Sequence, residues 1–124
     1  SQLFETVGQV LVLDESQIDA LGTISGSGPA YVFYLIEQLT KAAKHHGFND
    51  TDAALLVNQT FLGAAELLVA SGKTPEQLRK QVTSPNGTTE RAIARMGQTD
   101  LEAMFIEATE AALARSRELA EGKA

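Results

Sequence analysis

Long apolar helical segments are the feature that most constrains how this chain of 124 residues can fold. Residues 31–36 are six consecutive apolar residues, so the helix predicted over residues 29–46 is apolar around most of its circumference. Such a helix is buried in a large core or in an oligomer interface. Three predicted helices of about 18–22 residues, each near 30 Å long, carry more apolar surface than this chain can hide by itself. The pattern therefore predicts an intertwined dimer.

Capping signals predict where the helices begin and end. A short helix is expected over residues 17–21, and Gly47 is expected to end the long helix that starts at Pro29. The later helices are expected over about residues 50–70, 75–81 and 90–96 and from residue 101 onward. Their predicted N-caps are Asn49 or Asp50, Thr74 before Pro75, Thr88 or Thr89, and Asp100. The sequence thus predicts an all-α fold, a helical bundle of about five to six helices.

One segment near the N-terminus is predicted to be a strand. Val7–Leu13 is short and rich in β-branched residues, and it is the only credible strand in the sequence. Because the backbone groups of a strand need partners, either a second copy of the chain or a segment upstream must supply them. Leu3 and Phe4 are interpreted as the end of a helix. We therefore expect residues 1–15 to be the tail of a preceding domain and residues 16–124 to be one helical domain.

The charge balance excludes some classes of partner. A net charge of −6 argues against nucleic acid or an anionic membrane surface as the main ligand. No apolar run is expected to approach the roughly 20 residues that span a bilayer, and the N-terminus lacks a signal pattern. The adjacent His45 and His46 cannot share one helix face, so no metal site is predicted. We expect a cytoplasmic protein.

The segment Val82–Thr89 interrupts the helical pattern with a turn. Ser84–Gly87 combines proline at the second position with asparagine and glycine, which tolerate positive φ. Thr88 or Thr89 is expected to cap a helix from about Glu90, and free backbone amides at such an end attract carboxylate or phosphate. The alternative is a well-capped connector between helices. The basic residues that flank the turn are Arg79, Lys80, Arg91 and Arg95.

A second glycine-rich stretch, Ser25–Tyr31, precedes the long helix. A dinucleotide fingerprint would need a preceding strand and a third glycine where Tyr31 stands. A P-loop would need this stretch to end in Gly-Lys-Ser/Thr, whereas it ends in Gly-Pro-Ala-Tyr. Close backbone packing or exposed amides at a helix N-terminus therefore remain as its two interpretations.

Four motifs, taken in order, resemble the C-terminal domain of the pyrroline-5-carboxylate reductase family. Residues 25–31 match Ser-Gly-Ser-Gly-Pro-Ala-Tyr at the start of a long helix. Residues 82–89 match Val-Thr-Ser-Pro-Gly-Gly-Thr-Thr except at Asn86, where the family has glycine. A Gln-Thr…Gly-Ala-Ala segment and an Arg-Ser-x-Glu-Leu ending are matched at Gln59, Thr60, Gly63, Ala64, Ala65, Arg115, Ser116, Glu118 and Leu119.

This resemblance implies an oxidoreductase that reduces 1-pyrroline-5-carboxylate to proline with NADPH or NADH, the last step of proline biosynthesis. It implies a homodimer or a higher oligomer of dimers. Residues 1–15 would be a strand remnant of a missing Rossmann domain, and the chain alone would be inactive. The alternative is a non-catalytic helical oligomerisation module.

The resemblance also assigns roles to particular residues. Thr89 would be the catalytic-site residue that hydrogen-bonds the ring nitrogen of the substrate. The residues implied to bind substrate are Val82, Ser84, Gly87, Thr88 and Thr89, and those implied to lie near the nicotinamide are Ser27 and Gly28. Asn86 departs from the family glycine, keeping positive φ accessible but adding a side chain at the tip of the loop.

Overall fold

The computed structural model describes residues 2–6 and 9–122, with side chains described for residues 11–15 and 17–122. The chain divides into two compact units. The first contains the residues up to Val32 together with those from Asp100 onward, and the second contains Phe33–Thr99.

The first unit begins with a two-stranded antiparallel sheet. Strand β1 (Gln2–Thr6) pairs with β2 (Gln9–Leu13), so that residue 2 faces residue 13. The predicted helix end at Leu3 and Phe4 is therefore wrong, and β2 is not the only strand. Two adjacent apolar residues are too few to distinguish a helical from an alternating period, and strand pairing satisfies the backbone of both segments. Val7, the predicted first residue of the strand, lies outside the described residues.

The rest of the first unit is helical. A 3₁₀ turn (Glu15–Gln17) leads into α1 (Ile18–Leu21), and a π-helical turn (Gly22–Gly26) connects α1 to the start of α2. The final helix, α6 (Leu101–Ala120), contacts both α1 and the π-helical turn. Asp100 caps α6 as predicted, because its carboxylate accepts a hydrogen bond of 2.9 Å from the amide of Ala103.

The second unit contains most of α2 (Gly28–His45), followed by α3 (Asp50–Ser71), α4 (Pro75–Gln81) and α5 (Thr88–Met96). Asn49 caps α3 through a 2.8 Å hydrogen bond from the amide of Asp52. Thr74 and Gln77 form a reciprocal capping box at the start of α4. Gly47 and Gly72 follow α2 and α3 with φ of 103° and 67°, conformations that side chains disfavour.

These elements confirm the all-α prediction, since the described residues form six α-helices beside one short hairpin. The predicted helix boundaries agree with the structure to within two residues, apart from the last helix, for which only a start was predicted. Local capping chemistry explains this agreement, because each cap depends on residues no more than three positions apart.

Much of the apolar surface remains exposed. The chain exposes 9718 Å², whereas even two separate compact bodies of half its mass would expose only about 7,700 Å² together. Among the described side chains, only Ala53 and Val57 are buried apolar residues. Leu55 and Leu62 on α3 are 59% and 51% exposed, and Val69 is 82% exposed.

Helix α3 corrects one expectation from the sequence. Its 22 residues are long and apolar enough, by length and composition, to cross a membrane. The expectation that no apolar run would approach that length is therefore wrong for α3. Polar residues such as Asn58 and Gln59 interrupt the apolar residues of α3. They do not lower its mean hydropathy below the level at which a helix of this length can cross a membrane.

Candidate functional site

The loop between α4 and α5 contains the predicted turn. The amide of Gly87 donates a hydrogen bond of 3.1 Å to the carbonyl of Ser84, which closes a four-residue turn. Pro85 occupies its second position, and Asn86 occupies its third with φ of 59°. A positive φ at the third position is the requirement of a type II turn. Asn86 is the one non-glycine residue with positive φ in the described part of the chain, which confirms that this position uses the left-handed region.

Gly87 is required for a different reason. Its φ of −90° is open to any residue, so the conformational freedom of glycine is not used here. However, a Cβ at Gly87 would lie 3.2 Å from the carbonyl oxygen of Ser84. The close approach of these two residues, rather than a positive φ, therefore favours glycine at position 87.

Helix α5 begins two residues earlier than predicted. Gly87 is its N-cap, in an extended conformation, and Thr88 and Thr89 are its first two residues. The prediction that Thr88 or Thr89 caps this helix is therefore wrong. The turn closes on the amide of Gly87, so the helix starts directly after it, and glycine offers no side chain to cap the end.

An uncapped helix start leaves donors available. In the described part of the chain, the amides of Thr88, Thr89 and Glu90 have no hydrogen-bond acceptor. The first amide to join the helix is that of Arg91, which donates to the carbonyl of Gly87 at 3.4 Å. Thr88 and Thr89 are exposed. Three open amides at a helix N-terminus favour a bound anion through hydrogen bonding and the helix dipole.

The other end of the loop is tied to α4. The amide of Val82 donates to the carbonyl of Leu78 at 3.2 Å, and the amide of Thr83 donates to that of Lys80 at 3.3 Å. The hydroxyl of Thr83 also donates to the carbonyl of Arg79. The side chain of Val82 is 64% exposed, so it offers an apolar surface beside the turn.

An open cleft of about 310 Å³ lies next to the loop. It is lined by Arg79, Lys80, Thr83, Glu90 and Ile93. Lys80 forms an ion pair of 3.0 Å with Glu76, whereas Arg79 has no ion-pair partner among the described residues. Of the two cations in this cleft, Arg79 is therefore the one whose charge is not already neutralised within the chain.

The glycine-rich stretch lies in the first unit. The amide of Ser27 donates to the carbonyl of Gly22 at 2.8 Å, closing the π-helical turn, and Gly28 is the first residue of α2. The hydroxyl of Tyr31 donates to the carbonyl of Thr23 at 2.8 Å. A Cβ at Gly28 would meet no heavy atom within 4 Å beyond its neighbours in the chain, so there is open space on this side of its backbone.

The structure thus brings together the predicted residues of the loop, whereas Ser27 and Gly28 belong to the other unit. Two residues with a structural role at these places were not predicted. Tyr31 holds the π-helical turn, and Glu90 accepts a hydrogen bond of 3.1 Å from the amide of Asn86. Glu90 could have been found from the sequence, because glutamate three residues after an N-cap is a capping signal.

Chemically, the loop offers donors for binding. It presents open amides, the hydroxyls of Ser84, Thr88 and Thr89, and the apolar side chain of Val82. No group of three or more histidine, aspartate or glutamate side chains within the described residues could hold a metal ion. The arrangement suits a small molecule with a carboxylate or phosphate at one end and an apolar body.

Comparison with known proteins gives one consistent result. A family model described as pyrroline-5-carboxylate reductase dimerisation matches residues 15–119. A pyrroline-5-carboxylate reductase of Pseudomonas aeruginosa is 48% identical over 121 residues, which are 97% of this chain and 44% of that protein. Pyrroline-5-carboxylate reductase 2 of Bacillus subtilis is 42% identical over 119 residues, which are 96% of this chain and 43% of that protein.

Solved structures agree with this result. A pyrroline-5-carboxylate reductase from Coxiella burnetii superposes with a TM-score of 0.84 at 44% identity, covering 87% of this chain and 40% of that one. The Plasmodium falciparum pyrroline carboxylate reductase with NADP bound gives a TM-score of 0.79 at 32% identity, covering 84% and 40%. The chain therefore spans less than half the length of the relatives that it matches.

Proposed function

Since this chain belongs to the pyrroline-5-carboxylate reductase family and matches its dimerisation region, we propose that it serves an enzyme reducing 1-pyrroline-5-carboxylate to proline. In this proposal the chain supplies the homodimer interface and the loop that binds the substrate carboxylate. The observation that carries the second role is the uncapped start of α5, where the amides of Thr88, Thr89 and Glu90 are open.

The loop would hold the substrate at two places. The residues that surround the carboxylate are Ser84, Gly87, Thr88 and Thr89. The open amides of Thr88 and Thr89 and the hydroxyl of Ser84 are donors that suit an anion. Val82 lies beside the ring, where its exposed side chain can contact the ring carbons. The hydroxyl of Thr89 donates a hydrogen bond to the ring nitrogen or accepts one from it. These contacts fix the orientation of the imine carbon, which is the main contribution a protein makes to hydride transfer.

NADPH or NADH, when bound, would supply the hydride that adds to the imine carbon, and the ring nitrogen would take up one proton from water, which balances the proposed reduction. Ser27 and Gly28 would lie near its nicotinamide end. The open space at Gly28 fits this role, since a Cβ placed there would meet no heavy atom within 4 Å beyond its neighbours in the chain. The chain has no dinucleotide-binding fingerprint, because Tyr31 stands where a third glycine would be required. We therefore expect no reductase activity from this chain alone.

The proposed partner is a second copy of the chain, with assembly into higher oligomers of dimers as an extension. The exposed apolar side chains of α3 support this, because they need cover that the described residues do not provide. Within the second unit, no two helices pack extensively against each other in the described part of the chain. A cytoplasmic location completes the proposal.

Binding of L-proline, the product of the proposed reaction, tests the role of the loop directly. In a titration of the 124-residue chain, the backbone amide resonances of Gly87, Thr88 and Thr89 should shift with increasing proline. Pyrrolidine, which has the same ring but no carboxylate, should shift these resonances much less at the same concentration. A loop that does not respond to proline would support the rival interpretation of a helical oligomerisation module with a plain connector.

Activity tests the role of Thr89. A chimera would fuse the first part of the Pseudomonas aeruginosa enzyme with this chain. In this chimera, our chain replaces the part of that enzyme that it matches. In the chimera, Thr89→Val should lower kcat/KM by about 10- to 100-fold, because it removes a hydrogen bond at the reacting ring. Arg91→Ala, two positions further along α5, should cause a smaller loss. Equal or reversed effects would contradict the role given to Thr89.

A further inference from the structure

Glu90 makes an unusual hydrogen bond at the start of α5. Its carboxylate accepts from the amide of Asn86 at 3.1 Å, and this is its one polar side-chain contact among the described residues. In an ordinary capping box, a glutamate at the third helical position accepts from the amide of the N-cap residue. Here the N-cap amide, that of Gly87, already closes the turn on Ser84. Glu90 therefore reaches one residue further back.

This arrangement occupies two consecutive amides and leaves the next three open. The amide of Asn86 is bound by Glu90 and that of Gly87 by Ser84, whereas those of Thr88, Thr89 and Glu90 remain available. The left-handed conformation of Asn86 carries a steric cost for a residue with a side chain. The hydrogen bond that the amide of Asn86 donates to Glu90 offsets this cost at the same residue.

We propose that Glu90 is a positioning residue, whose hydrogen bond to the amide of Asn86 holds the turn so that the amides of Thr88 and Thr89 face the substrate carboxylate. This inference rests on the proposed function of the loop. Glu90 does not touch the substrate. It acts through Asn86, the residue at which this chain departs from the glycine of the family motif.

Charge and geometry act in opposite directions at Glu90, which makes the proposal testable. A carboxylate beside an anion site weakens anion binding by repulsion. Glu90 does not neutralise a cation in return, because Arg79 in the neighbouring cleft has no ion-pair partner among the described residues. Any gain in affinity from Glu90 must therefore come from its hydrogen bond. Variants of equal charge and different reach separate the two effects.

The experiment compares two pairs of variants by proline titration, with the amide resonances of Thr88 and Thr89 as the readout. Glu90→Gln and Glu90→Ala are both neutral, but only glutamine keeps an acceptor at the right distance. The wild type and Glu90→Asp are both charged, but aspartate is one methylene shorter. In each pair, the variant whose side chain cannot accept a hydrogen bond from the amide of Asn86 should bind proline about 3- to 10-fold more weakly. This is the loss expected for one hydrogen bond.

The control variant is Glu102→Ala. Glu102 also lies in the first turn of a helix, α6, but its side chain has no polar contact within the described residues. It should bind proline with unchanged affinity. The amide resonance of Asn86 should move in Glu90→Ala and Glu90→Asp, and should stay near its wild-type position in Glu90→Gln. Helical circular dichroism identifies any variant that fails to fold, and the other pair then decides.

Two results would overturn the proposal, and they are distinguishable. If the wild type binds proline through Thr88 and Thr89 but both pairs agree within twofold, Glu90 does not position the loop and the proposed function stands. If the wild type does not bind proline at all, the proposed function of the loop fails, and the role of Glu90 falls with it.

Discussion

Helix α3 and the loop between α4 and α5 lie in the same compact unit, but different interactions stabilise them. The loop closes its hydrogen bonds among residues at most four positions apart, such as Ser84 with Gly87 and Asn86 with Glu90. Helix α3 is well capped at Asn49, yet most of its large apolar side chains remain exposed. The loop is thus specified locally, whereas α3 needs another surface to become stable.

This difference separates two requirements of the protein. The shape of the loop depends on turn and capping chemistry, which a short stretch of sequence encodes. The stability of the unit depends on apolar area that the described residues leave exposed, and a partner copy covers this area in the proposed dimer. A substitution in α3 should therefore act on assembly, and a substitution in the loop should act on local geometry.

The largest effect is expected from Leu62→Asp on α3. This change replaces an exposed leucine in the proposed interface with a charge that must be buried twice in a symmetric dimer. The dissociation constant of the dimer should rise by at least about 100-fold, measured by analytical ultracentrifugation. Lys73→Asp, just beyond the end of α3, is the matched control and should leave the dimer intact. An unchanged dimer in Leu62→Asp would show that this face of α3 is not the interface.

A smaller effect is expected at the tip of the loop. Asn86→Val places a β-branched residue at φ of 59°, which should cost about 1–2 kcal/mol. The protection of the Gly87 amide against hydrogen exchange should fall about tenfold, because that amide closes the turn. Asn86→Gly, which restores the family residue, should retain protection to within about threefold. If Asn86→Val also dissociated the dimer, the separation between local geometry and assembly would fail.

The smallest effects are expected on α4, which leads into the loop. Thr74→Ala removes one half of a capping box and should lower the free energy of unfolding by about 1 kcal/mol. Glu76→Ala breaks the exposed ion pair with Lys80 and should change it by less than about 0.5 kcal/mol. Urea titrations at one fixed protein concentration measure both. A larger loss from Glu76→Ala would mean that charge pairing, rather than capping, holds this side of the loop.

The helices could be predicted from the sequence because the residue types at their ends indicate where each helix starts and stops. Asn49, Thr74 and Asp100 each accept the hydrogen bond that their residue type and position predict. The left-handed Gly47 and Gly72 follow the same logic at the other ends of the helices. These signals are local, so neither tertiary context nor a partner is needed to interpret them.

Two errors show where the preference of a single residue is insufficient. Leu3 and Phe4 fit a helix as well as a strand, and only pairing with β2 decides between them. Thr88 and Thr89 are good capping residues, but the turn from Ser84 to Gly87 closes first and makes glycine the N-cap. In both cases a hydrogen bond to another segment or residue outweighed the preference of the residue itself. The roles of Ser84, Thr89, Ser27 and Gly28 toward ligands remain predictions.

The exposed apolar side chains of α3 have a consequence for every measurement made on this protein. When the proposed dimer dissociates, each chain returns these side chains to water, so folding and pairing share one equilibrium. The melting temperature should then rise with the logarithm of the chain concentration, and dilution alone should destabilise the fold. Stability is in that sense a property of the solution as much as of the sequence.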